Sequence, residues 1–166
     1  MSNDLSGAVI DSVDWSLFDL AFSDACGFGD QLRAFLSCGD VDALKELWHR
    51  YIENRVFCQD DISSAAVPTV RVLFAALASG ETQRTTRSFV LDLLFLIAHP
   101  AYLGDDKLAL ECREAVRAGI WLLVQIAITG ERWEAAACLE ILVLFPESDL
   151  DQSVVKAIAR KWHLEV

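Results

Sequence analysis

Apolar residues recur along this chain at intervals of three and four, the spacing that lines one face of an α-helix. Leu32, Phe35 and Leu36 open the pattern, and Val41, Leu44, Leu47, Trp48 and Tyr51 repeat it. Val67, Val70, Leu73, Phe74 and Leu77 form a third stripe; Phe89, Val90, Leu93, Leu94 and Ile97 form a fourth. A longer run extends from near Asp105 to Thr129. Two stripes follow it, one through Trp133, Ala137, Cys138, Ile141, Leu142 and Phe145, the other through Leu150, Val154, Ile158 and Trp162. No stretch sustains period-two alternation, and the β-branched residues fall on helical stripes. The pattern predicts an all-α chain of about seven helices.

Glycine, proline and acids mark the boundaries. Gly39 is expected to stop the first helix with a left-handed cap, and Asp40 to cap the second. "NRVFCQDDISS" reads as a loop. Ser63 or Ser64 starts the third helix, with Pro68 in its first turn or just beyond, and Gly80 ends it. The fourth helix runs from near Thr82 to a stop at His99-Pro100. In the long fifth helix, Gly119 either kinks the backbone or lets a neighbour approach. Gly130 breaks that helix, Pro146 terminates the sixth, and "ESDLDQ" supplies caps for the seventh. Trp15, Leu17, Phe18, Leu20 and Phe22 read as a short helix capping a core edge. Residues 1–13 read as a flexible acidic N-terminus, and 14–166 as a single helical-repeat domain.

Three turns share one punctuation: "AFLSCGD", "FAALASGE" and "VQIAITGE". Each is an apolar run ending in small residues, a glycine and an acid. Gly80 follows Gly39 by 41 residues, and Gly130 follows Gly80 by 50. Two-helix solenoid units repeat at roughly 40–47 residues. With Gly80 aligned on Gly130, Val72, Leu73 and Leu77 fall on Leu122, Leu123 and Ala127. Beyond the turn, Phe89, Leu91 and Leu93 fall on Leu139, Ile141 and Val143. One helix pair cannot bury its own apolar face, whereas stacked pairs can. The spacing favours a short α-solenoid of antiparallel helix pairs over an ordinary helical bundle.

Charge narrows the partners. The net charge is −11, and residues 1–61 hold twelve acids against four bases, Arg33, Lys45, Arg50 and Arg55. Acidity of this kind repels nucleic acid and anionic membrane surfaces, permits a basic protein partner, and also serves plain solubility. The longest apolar stretch, Ala118 to Thr129, is interrupted by Gln125 and is too short to span a bilayer. The N-terminus lacks the basic segment of a signal peptide. Five cysteines, an odd number with no C-x-x-C, point to a reducing compartment. A cytoplasmic protein is expected.

Candidate chemistry is sparse. His49, His99 and His163 are isolated, no Cys/His cluster has zinc spacing, and no phosphate-binding or nucleophile motif occurs. His99, beside the proline, reads as a C-terminal helix cation or cap. Trp121 falls within the longest apolar run and reads as core, as do Trp48, Trp133 and Trp162, which lie on stripes; an exposed one would make an interface anchor. Two carboxylate pairs, Asp60-Asp61 and Asp105-Asp106, could bind metal or share a proton. They also suit helix entry, or could present negative charge along one edge of the array.

"VDWSLFDLAFSDA", then "DQLRAFLSCGD", a helix, and "SSAAVPTVRVLFAAL" resemble the HEAT-like repeat proteins of bacteria over residues 14 to about 145. Trp15, Ala66-Val67-Pro68 and the glycine turns carry the likeness. The resemblance implies a scaffold that binds other macromolecules without chemistry of its own. The expected function is therefore a protein-binding module, in its most specific form an immunity protein of a contact-dependent growth inhibition type pair. Its partner would be a basic toxin domain that attacks nucleic acid, and its contacts Glu53, Asp60, Asp61, Asp105 and Asp106. No catalytic residue, cofactor or metal is expected. The alternative is a HEAT-like accessory protein, a lyase or chaperone acting on a cofactor-carrying protein.

Overall fold

The structure, a computed structural model, describes residues 5–58, 61–80 and 82–165. It is mostly helical, 69% of the chain, with two very short antiparallel ladders. Among the described residues there are nine α-helices, and no helix is long and apolar enough to cross a membrane. The chain divides between Val90 and Leu91 into two compact units.

In the first unit α1 (Leu5–Asp11) packs on α4 (Ala66–Ser79). Residues 5–11, within the segment read as a flexible N-terminus, are thus helical, and Ile10 is buried. A 3-10 turn (Trp15–Leu17) leads into the hairpin β1 (Asp19–Leu20) and β2 (Ser23–Asp24). The cluster expected as a short helix is therefore split between a turn and a ladder. α2 (Phe28–Ser37) and α3 (Val41–Leu47) follow, and α3 runs into a π-helical turn at Trp48–Ile52. The segment read as a loop holds a second hairpin, β3 (Phe57–Cys58) and β4 (Asp61–Ile62). Phe35, Trp48 and Phe89 form an aromatic knot with ring centroids 5.4–6.4 Å apart. α5 (Arg84–Leu103) crosses the division between the units.

The second unit holds α6 (Lys107–Arg117), α7 (Ile120–Thr129), α8 (Arg132–Leu142) and α9 (Gln152–Trp162). α8 packs on both α7 and α9. Ile97, Cys112, Leu123, Cys138, Ile141 and Phe145 are buried, so both helix-borne cysteines act as small apolar groups.

Three boundaries depart from expectation. Pro100 does not stop α5, which runs on to Leu103. Proline removes one backbone bond, and the end of α5 is secured from outside: Arg113 donates to the carbonyls of Ala101 and Gly104 at 3.0 and 2.7 Å. Gly119 ends the long fifth helix outright, giving α6 and α7 in place of one kinked rod. Gly39 lacks the left-handed conformation expected of it, because α2 ends one residue earlier in extended Cys38. Gly130 is also extended, whereas Gly80 is left-handed with φ 68°. The three similar turns thus adopt different conformations. Glu81, the acid of the middle one, lies outside the described residues.

Candidate protein-interaction face

Acids are the material of the candidate site, and their local work separates them. Asp40 and Asp106 cap α3 and α6, accepting the amides of Ala43 and Ala109 at 2.8 Å each. Asp14 and Asp24 accept the amides of Ser16 and Cys26 in short turns. Asp11 pairs with Arg33 at 2.6 Å. Asp11, Asp14, Asp24 and Asp40, four of the twelve acids of residues 1–61, thus serve local structure.

The hairpin at Asp19–Asp24 sets one of these acids, Asp24, opposite a further one, Asp19. Ala25 N–H donates to Phe18 C=O at 3.0 Å, which marks 18–25 as a hydrogen-bonded pair. By the antiparallel alternation, Asp19 and Asp24, directly opposite in register, form the closer non-hydrogen-bonded pair. Their side chains lie on the face opposite to Leu20, which is buried, so both carboxylates look outward. Like charges directly opposite are unfavourable for folding. The two-residue tip between the strands holds Phe22, 80% exposed, and nearby in sequence Leu17 is 75% exposed. Residues expected to cap a core edge instead present apolar surface framed by acids. Trp15 takes the buried role, with its indole N–H on Ile10 C=O and its ring 5.4 Å from Phe28.

This hairpin is seated on the segment that carries two of the expected contacts. Ala21 N–H donates to Arg55 C=O at 2.7 Å, Asp19 N–H to Ser64 Oγ at 2.8 Å, and Ala65 N–H to Asp19 C=O at 3.1 Å. Glu53 stands in the turn after the π-helical segment, 2.5 Å from His49 Nδ1. Asp61 is exposed in β4, opposite Cys58, so it is a strand residue and not a helix-entry acid. Asp60 lies outside the described residues. Asp105 and Asp106 belong to the second unit; both are exposed, and Asp106 does enter a helix.

Phe22 and Leu17 escape a sequence reading for a definite reason. The hairpin tip is Ala21-Phe22, without the glycine or asparagine that signals a two-residue turn. The longest apolar run also misplaces Trp121, which is 66% exposed on α7 and not core. Trp48 is buried, and Trp133 and Trp162 are half-buried. His99 is not at a helix end; it stacks on Phe95 within α5. Among the described residues no group of three or more His, Cys, Asp or Glu side chains could hold a metal ion. No protein-family model, curated protein or solved structure matches the chain.

Proposed function

We propose that this chain is a protein-binding module that captures a basic protein on its acidic, aromatic-tipped face, and that it serves as an immunity protein against a toxin domain. The observation that carries the reading is the β1–β2 hairpin. It exposes Phe22 at its tip, beyond the opposed carboxylates of Asp19 and Asp24, and is bonded to the strand-and-turn segment bearing Glu53 and Asp61. A lysine or arginine of the partner would relieve the Asp19–Asp24 repulsion while an apolar cleft receives Phe22. Aromatic anchors ringed by polar groups are the usual form of an interface hot spot. Acids at the rim speed the encounter with a basic partner. Asp60 adds its charge to that segment in sequence, and Asp105 and Asp106, exposed in the second unit, are proposed as contacts by themselves.

The packing of α2 on α3 about Gly39 and of α7 on α8 about Gly130 supports helix pairs as the scaffold of a short HEAT-like array. Five free cysteines suit work in the cytoplasm. The partner to test is a secreted toxin domain encoded beside this gene. The native chain should bind it and block its activity, and Asp61→Lys should slow association several-fold at low salt. An unchanged on-rate would remove Asp61 from the contact. Absence of any binding would end the immunity reading.

A further inference from the structure

The second unit contains an opposite surface. α9 carries Lys156, Arg160 and Lys161 and no acid, in a chain of net charge −11. A shallow open depression of about 450 Å³ lies along its outer side, lined by Lys156, Ala159, Arg160, Leu164 and Glu165. Ala159 is buried and Leu164 half-buried, so they form an apolar floor, while Lys156 and Arg160 are exposed at its rim. Neither cation makes an ion pair among the described residues.

We infer that the occupant of this depression is the β1–β2 hairpin of a second copy of the chain. The two surfaces are complementary in both respects that matter. Phe22 is an exposed apolar tip and the floor is apolar; Asp19 and Asp24 form an opposed pair behind the tip, and around the floor two cations, Lys156 and Arg160, outnumber one acid, Glu165. The contact joins different patches of the two copies, so one copy retains a free depression and the other a free hairpin, and assembly proceeds head to tail. The inference uses the hairpin of the capture reading but not its partner. Self-association covers the acidic face until a tighter basic ligand displaces it.

Charge dictates an unusual salt response. Copies of net charge −11 repel at long range, whereas the contact is attractive at short range. The Debye length is about 10 Å at 0.1 M salt and about 3 Å at 1 M. Moderate salt therefore screens the repulsion while leaving the contact intact, and high salt weakens both. Association should pass through a maximum as salt rises.

Sedimentation velocity on the purified chain across concentration and salt tests this directly. Two neutralising variants keep the fold: Asp19→Asn with Asp24→Asn, since asparagine still accepts the Cys26 amide, and Lys156→Gln with Arg160→Gln, on the exposed side of α9. Each alone should weaken self-association roughly tenfold or more. Mixed together they should form a one-to-one pair, because each supplies the surface the other lacks. A monomeric native chain at every salt, or variants that associate like the native chain, would overturn the inference. The Lys156→Gln, Arg160→Gln variant leaves the hairpin intact, so it should still capture a basic partner. Its binding therefore separates failure of self-association from failure of the proposed function.

Discussion

Phe22→Ala tests whether this exposed ring serves the proposed binding and not folding. Fully burying a phenylalanine is worth up to about 3 kcal/mol. Phe22 is 80% exposed, so only about a fifth of that is at stake, roughly 0.5 kcal/mol. Phe35 in α2 is completely buried, and truncating it should cost about 3–5 kcal/mol through lost transfer energy and a cavity. Urea denaturation of the native chain and the two variants measures both. At a hairpin tip alanine disturbs no ladder bond, and the Ala21 amide keeps its bond to Arg55. Association, read by sedimentation or by partner capture, should respond in the reverse order, with Phe22→Ala losing at least about tenfold as a hot-spot aromatic does. A stability loss above about 1.5 kcal/mol for Phe22→Ala would mean that the ring is packed, and the interaction face would lose its anchor.

Other consequences concern the second unit. The Tyr102 hydroxyl is enclosed without a hydrogen-bond partner among the described residues, while its ring rests on Phe145 at 5.1 Å. Tyr102→Phe should keep the ring contacts and relieve the stranded hydroxyl, raising stability by about 1 kcal/mol. The melting temperature should then rise by about 2–4 °C, and a fall would show that the hydroxyl is bonded. Burial, and then the neighbouring Glu140, raise the pKa of Asp92. The folded chain thus holds that proton more tightly than the unfolded one, and stability declines as pH climbs through the titration of Asp92. Glu140→Gln should recover about 0.3 kcal/mol at neutral pH, discounted for exposure, and nothing once Asp92 is protonated; a pH series of urea melts decides. Burial pushes the Cys112 thiol up to about 12, whereas Cys26 is exposed. A thiol reagent at neutral pH should label Cys26 in the native protein and reach Cys112 only on unfolding.

The helical character of the chain was readable from its residues, because three-and-four spacing is a local property that each segment satisfies by itself. The stripe Val70, Leu73, Leu77 is buried as its spacing requires, and Asp40 and Gly80 cap where their own conformational preferences place them. Tertiary structure decided what depends on distant groups. Pro100 stays inside α5, whose last carbonyls Arg113 reaches from another helix. Trp121 obeys the helical period yet faces water, since period fixes spacing along a helix but not which neighbour covers a given face. The proposed interaction face was legible only in part. Its charge stood in the composition of residues 1–61, and Glu53 and Asp61 with it. Its apolar tip did not, because a hairpin without a glycine turn is stabilised from outside, by the Arg55 carbonyl and the Ser64 hydroxyl some thirty to forty-five residues away in sequence.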